Sequence, residues 1–195
     1  MNKLRTLTLV CTALLLPSLV ACAGAQTEAQ KPAPMTKTAE ANSVSQLFSV
    51  FHDDGRFYAF GDHEVYRTFI GGHEPAYVLT RIAGGPQKQT LTFGMTKADS
   101  KANLATLGYM NLYAGTAEAA ADFYGEAVKD GRFYVFDDWH DMKEFHNSGE
   151  APYIFTHIGK GPNRATVTVV RNKKTVKDSA KADAIMARFR TLHGL

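Results

Sequence analysis

Cysteine is scarce in this chain: there are two, Cys11 and Cys22, both near the start of 195 residues. No disulfide can form within the long remainder, and no thiolate metal site can be built there. No apolar run reaches the roughly 20 residues needed to cross a hydrocarbon core. The longest, Leu7 to Val20, is interrupted by Thr8, Cys11, Thr12, Pro17 and Ser18. A dominant charge is also missing, with 22 Lys and Arg against 19 Asp and Glu. That balance gives no electrostatic reason to expect nucleic acid. The densest basic stretch, Arg171, Lys173, Lys174 and Lys177, reads as a solvated strand end. The chain has no Gly-x-Ser-x-Gly elbow and no His-Glu-x-x-His pair, so a non-catalytic protein is expected. What is present, 45% hydrophobic and 11% aromatic residues, is the composition of a globular chain.

The N-terminus reads as an address. Lys3 and Arg5 precede the short apolar run, which ends in Leu19-Val20-Ala21-Cys22. This arrangement resembles the bacterial lipobox, and the resemblance covers the first 22 residues. It implies a signal peptide over 1–21, cleavage before Cys22 and acylation of that cysteine. Each buried methylene adds about 0.8 kcal/mol of membrane affinity, so several acyl chains make release negligible. Removing Lys3 and Arg5 leaves 20 basic against 19 acidic residues. Ala23, rather than aspartate, follows the cysteine; by the sorting pattern of enteric bacteria this implies the outer membrane, with the body facing the periplasm. Residues 22–45 are rich in Ala, Gln, Thr and Pro and lack aromatics, so they read as a tether.

The body carries an internal repeat. Asp54-Gly55-Arg56-Phe57-Tyr58-Ala59-Phe60 recurs 76 residues later as Asp130-Gly131-Arg132-Phe133-Tyr134-Val135-Phe136. From 54 to 92 the ungapped alignment has 16 identities in 39 positions, where composition alone gives roughly two or three. Each copy reads as strand, strand, helix, strand, strand, helix. Asp54-Gly55 and Asp130-Gly131 suit two-residue hairpin turns with positive φ. Asp62 and Asp138 are positioned to cap the first helices. Lys101 to Tyr113 and Lys181 to His193 read as the closing helices. The expectation is an α+β fold of two ββαββα repeats, 46–116 and 117–195, packed about a pseudo-twofold axis.

A residue kept in both copies is explained by the shared fold, whereas an unshared one is freer to serve a site. Arg56/Arg132 and Glu74/Glu150 read as twin structural ion pairs. Phe57/Phe133, Tyr58/Tyr134, Phe60/Phe136 and Tyr77/Tyr153 read as core and sheet surface. Gly84-Gly85-Pro86 and Gly159-Lys160-Gly161-Pro162 read as hairpin turns rather than phosphate loops, since no helix follows. The seven histidines (His52, His63, His73, His140, His146, His157 and His193) never align with one another at the 76-residue offset. That excludes a duplicated metal site, and surface positions are the plain reading. A single site in the second copy would draw on Asp137, Asp138, His140, Asp141, Glu144 and His146, with His140 and Glu144 sharing a helical face.

The leading expectation is a non-catalytic lipoprotein that binds an envelope partner or apolar ligand, as an accessory to uptake or assembly. The alternative is a periplasmic copper or zinc carrier using the second copy's histidines. The tandem α+β layout resembles the lipoproteins that deliver copper for nitrous oxide reductase, although the Cys and Met motif of that family is absent here.

Overall fold

The computed structural model describes residues 43–195. The signal segment, Cys22 and residues 22–42 of the tether lie outside the described residues. The first half supplies β1 (Val44–Phe51), β2 (Arg56–Phe60), α1 (His63–Ile70), β3 (Tyr77–Arg81), β4 (Thr90–Met95) and α2 (Gly108–Ala114). The second supplies β5 (Ala119–Lys129), β6 (Arg132–Phe136), α3 (Trp139–Ser148), β7 (Tyr153–His157), β8 (Val167–Arg171) and α4 (Ser179–His193). The fold is α+β, with one eight-stranded sheet in the order β3-β4-β2-β1-β5-β6-β8-β7.

Strands β1 and β5 meet in parallel at the centre. Outward from them, β1/β2 and β5/β6 are antiparallel, β2/β4 and β6/β8 parallel, and β3/β4 and β7/β8 antiparallel. Strand side chains alternate, so the inner strands β1, β2, β5 and β6 feed two cores. Phe57 and Ala59 of β2 pack beneath α2 and α3, with Leu112, Met142 and Phe145. Tyr58 and Phe60 pack beneath α1 and α4, with Tyr66, Phe69, Met186 and Phe189. A fully buried Phe or Leu contributes roughly 1.5–3 kcal/mol, so both faces carry substantial core. No helix among the described residues is long and apolar enough to cross a membrane.

Helix starts follow the sequence closely. Asp62 accepts from the Val65 N–H at 2.9 Å, and Asp138 accepts from His140 at 2.7 Å and Asp141 at 3.3 Å. Each such cap contributes about 1 kcal/mol. Two expectations need correction. The two-residue turn holds at Asp130-Gly131, with φ of 51° and 70°, but not at Asp54-Gly55. There the loop is one residue longer: Gly55 alone is left-handed, at φ 78°. The Gly55 N–H donates to the His52 carbonyl at 3.0 Å and the His52 N–H donates to the Arg56 carbonyl at 3.0 Å, a three-residue loop closed by a glycine bulge. Consequently Phe48 faces Phe60 in the first hairpin, while Gly125 faces Phe136 in the second.

The second correction concerns Lys101 to Tyr113. Only Gly108–Ala114 is α-helix, preceded by single 3₁₀ turns at Asp99–Lys101 and Leu104–Thr106. Side chains there engage the backbone locally. Thr96 and Asp99 exchange bonds at 3.1 Å, and the Asn103 side chain accepts from the Ala105 N–H at 3.0 Å. Such bonds compete with helix formation.

Candidate functional site

The α1/α4 face holds two adjoining cavities, of about 600 and 320 Å³, that share Ile70 and Val128. Phe133 extends the apolar floor of the larger one, and its polar lining comes from Arg67, Asn163 and His193. Val50 and Phe69 floor the smaller, with His52, His73 and Glu74 around it. Val128 sits at the end of β5, Phe133 near the start of β6, Ile70 at the last turn of α1 and His193 at that of α4. The groove therefore opens where two helices end over the central strands.

Behind His193 lies a buried carboxylate. Glu126 projects from β5 onto this face and is fully buried. Its Oε1 accepts from the Tyr66 hydroxyl at 2.5 Å and its Oε2 from the Tyr124 hydroxyl at 2.7 Å. The His193 Nε2 lies 3.0 Å from Oε1 and 3.2 Å from Oε2, and that side chain is only 2% exposed. Burial, and then the Glu126 charge, push both tyrosine hydroxyls well above their ordinary pKa, so both act as proton donors to the carboxylate. A carboxylate accepting several donors is compensated for its loss of water. Because both Glu126 oxygens accept, Nε2 is the nitrogen that donates, and Nδ1 is left for a further partner. His63 stands beside His193 with ring centroids 5.7 Å apart, and its Nε2 is buried without a hydrogen-bond partner. Burial, and then the His193 charge, lower the His63 pKa.

The opposite face is packed where this one is open. At the end of β1, Phe51 lies 4.9 Å from Phe57 and 5.9 Å from Phe145, ring centroid to centroid. His146 packs 4.9 Å from Phe57 and 6.2 Å from Tyr113. His146 is buried, its Nε2 is 2.9 Å from the Ser49 hydroxyl, and its Nδ1 has no hydrogen-bond partner. Burial alone lowers its pKa to about 3.

The loop beside the larger cavity is strained. Asn163 and Arg164 are both left-handed, at φ 51° and 62°, and Gln87 and Lys88 repeat the conformation at 51° and 64°. A left-handed non-glycine residue costs about 1–3 kcal/mol. Each loop is closed by two backbone bonds of 2.9 Å, Gly161 to Ala165 and Ala165 to Pro162, matched by Gly85 to Gln89 and Gln89 to Pro86. They connect paired strands, as hairpin turns do.

The residues proposed for a metal site do not converge. Asp137 pairs with the buried Arg171 at 2.7 Å, Asp138 caps α3, and Asp141 accepts from Asn172 at 2.8 Å. His140 and Glu144 form an exposed pair at 3.3 Å, while His146 faces Ser49. Among the described residues, no group of three His, Cys, Asp or Glu is placed to hold a metal ion. Nor do Arg56–Glu74 or Arg132–Glu150 form the expected ion pairs. Arg56 turns to Asp54 at 3.5 Å instead, within its own turn. Of the paired aromatics, Phe57, Tyr58, Phe60, Phe133 and Phe136 are core, while Tyr77 and Tyr153 lie half-exposed on the edge strands. Surface positions fit His52, His73 and His140 but not His63, His146 or His193, whose side chains are largely enclosed.

Sequence reasoning missed Glu126, Tyr66 and Tyr124. One signal was available: a lone acidic residue in the otherwise uncharged stretch Phe123–Val128, on the same alternating face as Tyr124 and Val128. Comparison with family models, with curated proteins and with solved structures gives no match to this chain.

Proposed function

We propose that the chain is a lipid-anchored envelope protein whose body is a non-catalytic binding module, with an apolar ligand seated in the α1/α4 groove. The anchor is Cys22, cleavage follows Ala21, and the tether read over 22–45 holds the body away from an outer membrane. The groove carries the binding half of this reading. It pairs an apolar floor with one buried, oriented polar side chain, the usual character of a ligand pocket.

The body is an internal duplication with a pseudo-twofold axis running along β1 and β5. The repeated sequence supports this, as does a strand order with the same pairings on either side of the central pair. So does the placement of helices, α1 and α4 on one face, α2 and α3 on the other. A rotation about an axis along two parallel strands exchanges the faces in this way. Under that rotation the shorter second hairpin places Val128 at the position of Phe51 and Glu126 at that of Ser49. Ile70 takes the position of His146, and His193 that of Tyr113. The groove is therefore the place where one copy has lost aromatic bulk and gained a buried carboxylate.

A neutral fluorescent probe, N-phenyl-1-naphthylamine, tests the reading. The wild-type chain is expected to bind one probe molecule, and Val128→Phe to lose that binding while keeping its circular dichroism. A wild-type chain that binds no probe, or a Val128→Phe variant that binds as well as the parent, would overturn it.

A further inference from the structure

We infer that the occupant of the groove is a single-chain amphiphile with a carboxylate head, taken up by His193 and Arg67 while its tail lies over Ile70, Val128 and Phe133. This rests on the groove being a ligand site and adds the chemistry of the ligand.

Charge carries the argument. Among the described residues, the polar side chains lining the larger cavity are Arg67, Asn163 and His193, and no carboxylate lines it. Arg67 is exposed on α1 and has no ion-pair partner among the described residues. His193 is held from behind, with Nε2 committed to Glu126. With Nε2 committed to the carboxylate, Nδ1 is the ring nitrogen left to face a ligand. An anionic head would pair with Arg67, the one permanently charged side chain lining this cavity, beside the His193 ring. A cationic head would meet a like charge at Arg67, and a neutral one would leave Arg67 unpaired.

Apolar placement carries the rest. The floor residues continue from the larger cavity into the smaller through Ile70 and Val128, where Val50 and Phe69 extend the apolar surface. A flexible chain can follow that strip, whereas a rigid polycycle gains nothing from its length. Among the described residues the one carboxylate lining either cavity is Glu74, which lines the smaller and not the larger.

The test is equilibrium binding of decanoate, decan-1-ol and decyltrimethylammonium at neutral pH to the full chain carrying Cys22→Ser, which removes the acyl anchor. Decanoate is expected to bind at least about tenfold more tightly than decan-1-ol, as a charge-assisted contact provides, and decyltrimethylammonium most weakly. In Arg67→Gln, a surface change that leaves the core intact, the decanoate preference is expected to fall severalfold, and to fall again when His193→Gln is added. Equal affinity for decanoate and decan-1-ol, with the neutral probe still bound, would overturn the carboxylate assignment while leaving the groove. Preference for the cationic amphiphile would overturn it by sign. A chain that binds none of the three amphiphiles and no neutral probe would overturn the groove itself.

Discussion

Acid should loosen this protein through His146. The imidazole projects from α3 against Phe57, Phe51, Trp139 and Tyr113, and among the described residues Ser49 is its one hydrogen-bond partner and no carboxylate lies beside it. Burial therefore holds its pKa at about 3 in the folded state, against about 6.5 in an unfolded chain. Between those values the unfolded state binds more protons than the folded one. Stability then rises with pH, and is lost as pH falls from about 6.5 toward 3, at up to about 1.4 kcal/mol per unit. Lowering pH from 7 to 5 should remove about 2 kcal/mol through this one residue. The figure is set almost entirely by the unfolded histidine, since the folded one has barely begun to titrate at pH 5. Urea unfolding of the wild type and of His146→Leu at both pH values isolates the effect. The wild type should lose about 2 kcal/mol more than the variant over that interval. Equal losses in the two proteins would refute the claim that a neutral histidine is trapped there.

Other substitutions probe the two faces and the anchor. Tyr66→Phe removes the hydroxyl donating to Glu126 Oε1; a charged acceptor losing a buried donor should cost about 1.5–3 kcal/mol in urea unfolding, and no measurable change would contradict the network. Gly125→Ala places a methyl 2.5 Å from Met142 Sδ, so a loss of about 1–3 kcal/mol is expected in thermal denaturation, whereas an unchanged midpoint would refute the close packing of α3 on β5. Cys22→Ser should move the protein from the membrane pellet to the soluble fraction and remove acyl mass from the mature N-terminus. Persistence in the pellet would contradict the lipid anchor.

Much of the fold was legible because its signals are local. Asp62 and Asp138 cap helices where a carboxylate before an apolar stripe is expected to, and alternating Phe57 to Phe60 serves both cores. The misreadings came where two local preferences compete. Asp54-Gly55 has the composition of a tight turn, yet one extra residue in the loop selects a type I turn with a bulge. Lys101-Ala102 has a helical neighbourhood by alignment, yet Thr96, Asp99 and Asn103 hold the backbone in short turns. The candidate site was hidden for a different reason. Glu126, Tyr66 and His193 are 60 and 67 residues apart in sequence and meet only because α1 and α4 share a face of the sheet. The histidines drew attention by number, whereas burial, which separates His146 and His193 from His140, depends on the packing of the faces.

Amide chemical-shift mapping with decan-1-ol tests the central claim most directly. The account predicts shifts clustered at Ile70, Val128, Phe133 and His193, saturating at one ligand per chain, with Phe51, Phe57 and Tyr113 on the opposite face unmoved. Shifts centred on those three aromatics, or spread evenly over both faces, would contradict it.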